Sequence, residues 1–331
     1  LIISKINYGI YLYGYSPKTV LNKIKTTLNA AIRKALGAYR STPIPNLLFQ
    51  ISLLTIEDQR VLTSIKLFKS ILRCNDSLLH DIVTKHQILI SPQKVTAAIN
   101  RIITNSKELG IPTFPRFPID NANPPWTFNS SIINDSLRKH SKNHTNPVIF
   151  QSSFSEIKET LNNHSFIYTD GSKNSSKISF SVTSANIKVS ILPPYSSIFS
   201  AEIIAIHEAI QYALSKNTNF AISTDSLSSI DAIANINNYG YYPLLIRNIL
   251  SNNFPKIIII WIPGHTSIEG NEFADQSAKD ANASPLILTN NYNSNDITQY
   301  LKKKFKSDHI HIWNLTSVGY KLTNPYKLTG K

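Results

Sequence analysis

Hydrophobic positions recur at helical spacing through the first hundred residues. Val20, Ile24, Leu28, Ala31, Ile32, Ala35 and Leu36 fall three to four apart, behind Ser16-Pro17 and ahead of Gly37, and predict one amphipathic helix. Thr55 with Asp58 three residues on forms a relaxed capping box, and Val61, Ile65, Phe68 and Leu72 carry a second helix onward on one face. From Gly110 to Pro147 the periodicity collapses, because Pro112, Pro115, Pro118, Pro124 and Pro125 stand among Asn and Ser residues in the manner of a linker. The period then shortens to two. Phe166, Ile167 and Tyr168 form a short apolar run, residues 178–182 alternate strictly, and Ile187, Val189 and Ile191 alternate before Pro193-Pro194, giving three strands at hairpin spacing. A helix over 201–214 comes after them, with Ile203, Ile206, Ala209, Ile210 and Ala213 as its buried face. Next come a strand at 220–224, a helix from Ser226, an unbroken apolar strand at 257–262, and a helix through Phe273, Ala274 and Ala278.

The order βββαβαβα predicts an α/β fold: a mixed five-stranded sheet with flanking helices, antiparallel at first and parallel where helices intervene, preceded by an α-helical domain. The expected divisions are a helical region at 1–108, a Pro/Asn-rich linker at 109–160, the α/β domain at 161–288 and a basic C-terminal tail at 289–331. No internal repeat is visible.

A length of 331 residues fits roughly two domains. With 42% hydrophobic and 16% charged residues the chain is too apolar for wholesale disorder. No apolar run approaches the ~18 to 20 residues needed to cross a bilayer, so no membrane partner is expected. One cysteine, Cys74, excludes an intramolecular disulfide framework and a Cys-based zinc site; an intracellular compartment is expected, nucleus or cytoplasm alike, with Cys74 a small buried helix residue. The sequence opens at Leu1 and contains no Met, which reads as a piece of something longer. Its net charge of +14 is unevenly spread: +12 over 1–150, −3 over 151–288 and +5 over 289–331. Basic flanks suited to a polyanion thus enclose a segment that concentrates carboxylates.

Four of those carboxylates fall where the topology gathers them. Asp170 ends the first strand, Asp225 ends the strand after the first helix, and both face the edge where ligands collect in α/β sheets. Glu202 is expected in the first turn of one helix and Asp275 near the start of the last, with both helix N-termini aimed at the same edge. Converging carboxylates repel one another unless cations lie between them. Oxygen-only ligands suit Mg²⁺, with Mn²⁺ possible, and two such ions about 3.5 to 4 Å apart clamp a phosphodiester. Taken singly, each acid has a plainer reading as a turn former, a cap or a helix-dipole partner.

The segments YTDGS at 168–172, SAE at 200–202, STDS at 223–226 and WIPGHTSIEGNEFAD at 261–275 together resemble a ribonuclease H domain, and the last, the most specific, is closest to the versions carried by non-LTR retrotransposons. The resemblance covers about residues 163–285. It implies a ribonuclease H-like fold and a Mg²⁺-dependent endonuclease that hydrolyses the RNA strand of RNA–DNA hybrids. By position it makes Asp170, Glu202, Asp225 and Asp275 the catalytic, metal-coordinating acids and His265 the loop histidine assigned to proton transfer or product release. Two departures stand out: Ser267 replaces a frequent glycine, and no long basic helix lies between Asp225 and Ile257. Asn271 is expected to support its helix start, and Glu272, Glu269 and Asp231 to be surface charges. Trp313, His309 and His311 lack cysteines or a paired acid and are expected to pack or lie at the surface.

The first hundred residues resemble the stretch after the polymerase palm in non-LTR retrotransposon reading frames, notably at Tyr8-Gly9 and ALGAYRSTP at 35–43. This implies a thumb-like connecting region that holds nucleic acid through its basic residues, and an upstream polymerase domain in the same polyprotein. The catalytic aspartate pair of a polymerase palm is not in the chain. Two alternatives stay open on the residues alone: an integrase- or transposase-like DNA strand transferase, disfavoured by Asp275 and the additional Glu202, and a non-catalytic nucleic-acid-binding module.

Overall fold

The computed structural model describes residues 2–14, 16–73, 127–142, 144–175, 177–184, 187–216, 218–238, 240–281 and 294–316, with the isolated positions 104, 108 and 124. Cys74, most of the Pro-rich stretch and the side chain of Trp313 lie outside them. The chain divides into two compact units, residues 1–113 with 298–331, and residues 114–297.

The described residues of the first unit are helical: α1 (Ile2–Asn7), α2 (Ile10–Tyr13), α3 (Lys18–Leu36), α4 (Ile44–Gln50) and α5 (Ile56–Arg73). Helix α3 stops where the sequence says it should. Gly37 takes φ 62°, a left-handed conformation that costs a glycine little, and its N–H reaches the carbonyls of Arg33 and Lys34. The expected box starts α5: Thr55 Oγ1 accepts the Asp58 N–H at 3.1 Å and donates to Asp58 Oδ2 at 2.7 Å. Ile10, Leu28, Ile32, Leu47, Leu48 and Ile56 close a small core.

Among the described residues the second unit is built on a mixed sheet of six strands in the order β1-β6-β5-β2-β3-β4. These are β1 (Ile133–Asn134), β2 (His164–Lys173), β3 (Ile178–Thr183), β4 (Ile187–Leu192), β5 (Asn219–Thr224) and β6 (Ile257–Trp261). Strands β2, β3 and β4 form the antiparallel meander, while β2, β5, β6 and β1 run parallel. Helix α6 (Pro147–Thr160) precedes β2, and α7 (Ile198–Leu214), α8 (Leu227–Ala234), α9 (Tyr241–Asn253) and α10 (Glu269–Lys279) come later in turn. Helix α11 (Ser294–Thr316) occupies the segment read as a basic tail. All six positions of β3 are buried, which requires cover on both faces of the sheet.

Two expectations change. The sheet has a sixth strand, and it comes from the segment read as linker: β1 pairs Ile133 with Ile259 and Asn134 with Ile260. The same segment buries Ile132, Leu137, Phe150 and Phe154 completely or nearly so. A two-residue strand has no detectable alternation, whereas α6 carries ordinary signals, an Asn146 cap accepting the Val148 N–H and Pro147 at the first helical position. The second change is α9, absent from the expected element order. Its buried Arg247 turns inward and donates to the carbonyls of Ala232, Ile233, Asn235 and Asn238, fixing the turn from α8. As the only basic residue in α9, it leaves no long basic helix there.

Candidate active site

Parallel pairing places Thr169 beside Thr224, so Asp170 and Asp225 lie side by side where the β2–β5 ladder stops; Asp225 directly follows β5, whereas Asp170, expected to end its strand, is the seventh residue of β2, which runs on to Lys173 against β3. Across the antiparallel pair Asp170 sits opposite Ser181. Ser181 and Ser179 have side chains small enough for α10 to lie directly on the sheet. Their hydroxyls donate to the Ala274 and Ala278 carbonyls at 2.6 Å each. This brings Asp275 close enough to act on the Asp170 carboxyl. Gly171 alternates to the other face, against α7. A Cβ there would stand 2.9 Å from Glu202 N and 3.0 Å from Glu202 Cγ, so only glycine lets Glu202 come this close.

The helix placements differ from expectation. Helix α7 starts at Ile198 behind a Ser197 cap, putting Glu202 a full turn in, and Asp275 is the seventh residue of α10. The acids therefore reach the edge from helix flanks, not from helix ends, because the preceding residues already satisfy the helical pattern.

Electrostatics match a cluster of like charges held out of water. Burial, then Asp225, then Asp275 push the Asp170 carboxyl up to about 8, against a bond from the Gly171 N–H that favours its charged form. Burial also raises Asp225, which the Asn271 amide and the charges of His265 and Lys142 partly offset. Glu202 is raised by burial and opposed by hydroxyl donors: Ser226 Oγ at 2.5 Å and Ser228 Oγ at 3.3 Å from its Oε2. Lys279 Nζ lies 2.5 Å from Asp275 Oδ2.

His265 lies in the loop from β6 to α10, its side chain 69% exposed and its Nδ1 4.0 Å from Glu272 Oε2. His265 and Ser267 both take positive φ, 57° and 59°. Ser267 thus adopts the conformation that glycine enters freely, at a cost of about 1 kcal/mol for an L-residue. The loop is pinned from outside: Gln151 Nε2 on α6 donates to the carbonyls of Thr266 at 3.0 Å and Ser267 at 3.3 Å.

Several side chains have other roles than expected. Glu272 is half-buried, accepts the Ser267 N–H at 3.3 Å and forms a potential cation-binding group with His265 and Asp275. Asn271 is 2% exposed and supports an acid of the site in addition to its helix, with its Oδ1 meeting no donor among the described residues. Asp231, which pairs with Arg138 at 2.8 Å, and Glu269 are exposed charges, as expected. His309 does have a paired acid, Asp58 at 2.7 Å, in the helical unit. Gln151, Ser228 and Lys279 carry no motif, Ser226 closes STDS without being singled out by it, and their contacts to the site join distant parts of the chain or successive helix turns.

A meander of three strands feeding parallel strands, with acids gathered where the pairing of the two central strands stops, is a ribonuclease H-like fold. Residues 162–283 match the RNase H family model, so the chain carries an RNase H domain over that segment. Ribonuclease H activity is what that domain implies, namely hydrolysis of the RNA strand of RNA–DNA hybrids, in a family that generally uses divalent metals. A comparison with curated proteins gave no match. Among the described residues no helix is long and apolar enough to cross a membrane.

Proposed function

We propose that Asp170, Glu202, Asp225 and Asp275 hold two Mg²⁺ ions, with Mn²⁺ an acceptable substitute, and that this site cuts the RNA strand of hybrids held by the basic parts of the chain. The observation that carries the reading is the convergence of four acids from β2, α7, β5 and α10 on one edge, with Asp170 driven towards its neutral form by burial and by its acidic neighbours. Oxygen-only donors that repel one another suit hard divalent cations. When bound, such ions supply water activation and charge neutralisation at the leaving oxygen. The chain's own groups do the rest. Ser226 and Ser228 orient Glu202, the Asn271 amide orients Asp225, and His265 moves a proton at the loop edge, leaving a 5′-phosphate and a 3′-hydroxyl.

The test is cleavage of a labelled RNA–DNA hybrid with duplex RNA and duplex DNA as controls, with and without Mg²⁺. Mg²⁺-dependent cleavage confined to the hybrid and lost in Asp170→Asn and Asp225→Asn is expected. Undiminished cleavage by either variant overturns the assignment, and strand transfer on DNA without RNA favours the transferase alternative.

The wider reading is that the chain acts within a non-LTR retrotransposon reverse transcriptase, its helical unit lying along the primer–template next to an upstream polymerase domain. Its support is the sequence at 35–43 and the charge of +12 over 1–150, including exposed Lys18, Lys23, Lys34 and Arg40. Binding of duplex by the full chain should weaken when these cations are reversed; unchanged binding removes that support.

A further inference from the structure

Lys279 closes the last turn of α10 four residues after Asp275. An Asp–Lys pair at that spacing is common on exposed helices and contributes little there. This one differs in its surroundings. The Asp275 side chain is only 18% exposed, its charge acts on buried Asp170, and the ammonium group also feels the charges of Asp170 and Glu272. Lys142 acts on the cluster differently, through space on Asp225.

We infer that Lys279 is a built-in counter-cation: its ammonium holds the Asp275 carboxylate until a divalent ion displaces it, and so sets the Mg²⁺ concentration at which the site fills. The inference rests on the assignment of Asp275 as a metal ligand. One Asp275 oxygen is already held by a donor at 2.5 Å, so a metal drawing on this carboxylate competes with that contact for its charge and takes up repulsion from an ammonium group close by. The lysine stem is 51% exposed, which leaves the head free to swing into water once displaced. A partner that leaves easily suits a site that must be neutralised when empty and open when loaded. Lys279 is thus a tuning residue for metal loading, not a catalytic one.

The experiment is thermal unfolding of the full chain over a Mg²⁺ titration, which reads loading without turnover. For Lys279→Gln the midpoint of Mg²⁺-dependent stabilisation should fall about two- to five-fold, the range of one partly exposed ion pair. Lys279→Arg, which keeps the charge, should hold the wild-type midpoint. Lys142→Gln, which removes a charge without a direct contact, should move the midpoint less than Lys279→Gln does. An unchanged or raised midpoint in Lys279→Gln overturns the inference, and so does an equal shift in Lys142→Gln. Asp275→Asn separates the two levels. Full Mg²⁺ stabilisation in that variant means that Asp275 is not a ligand and that the site assignment has failed, whereas lost stabilisation with an unmoved Lys279→Gln midpoint rejects the lysine's role alone.

Discussion

Gly264 lies directly against Asp225: a Cβ at this glycine would sit inside the contact radius of Asp225 Oδ2 and 3.2 Å from its Cγ. The loop that carries His265 therefore passes the central acid with no room for a side chain. Gly264→Ala should displace Asp225 or the loop and lower cleavage by about 100-fold, the order expected of a misplacement near 1 Å. Hybrid cleavage together with the melting temperature checks this. The melting temperature should fall by far less than the loss of activity implies.

Asp170 should limit stability while being needed for activity. Replacing it by Asn removes a buried carboxyl that Asp225 and Asp275 both disfavour as an anion. At pH 8 without Mg²⁺, Asp170→Asn should be more stable than the wild type by on the order of 1–3 kcal/mol, with cleavage abolished. Chemical denaturation at pH 8 and at pH 4 checks it, since the gain should vanish at the lower pH, where the wild-type carboxyl is protonated as well.

The same carboxyl gives the metal-free protein a definite pH dependence. Its pKa is about 8 in the fold against an ordinary value of 3.8, so between these limits the folded state binds the additional proton. Stability from this group is full below about pH 4 and declines as pH rises towards 8. Raised Glu202 and Asp225 act in the same direction. Saturating Mg²⁺ should flatten the decline, because metal replaces the proton. Melting curves across pH 4 to 9, with and without Mg²⁺, read both slopes.

Gln151 acts from outside the matched family segment. Gln151→Ala removes two bonds to the loop on which His265 and Ser267 hold positive φ. Turnover should drop roughly three- to ten-fold with KM little changed, in line with about 1 kcal/mol of lost positioning. Amide exchange should accelerate at residues 264–268 and stay unchanged in β2 and β5.

The central acids are legible in the sequence because YTDGS and STDS each follow an apolar run with a turn former, although only Asp225 stands at a strand end and β2 runs on past Asp170 to Lys173. Gly37, Thr55 and Asp58 are legible for the same local reason. The Asp58 partner, His309, is not, since 251 positions separate them and nothing in either neighbourhood names the other. Strand β1 is hidden by its length. Helix α9 is hidden by Pro243, which breaks the apolar pattern although it sits in the first turn, where a missing N–H costs nothing. Glu202 and Asp275 lie deeper in their helices than expected because those helices already begin at Ile198, behind the Ser197 cap, and at Glu269.

Asp296, in the first turn of α11, is buried and its Oδ2 accepts from the Ser197 N–H at 2.9 Å and from Ser200 Oγ at 2.5 Å, at the very start of the helix that carries Glu202. Anyone trimming this protein to the segment the family model covers would cut away that carboxylate at one end and β1, Phe150, Phe154 and Gln151 at the other. The smallest piece worth expressing therefore runs from about residue 127 to beyond 297, and a shorter one would report the damage of the cut in place of the chemistry of the site.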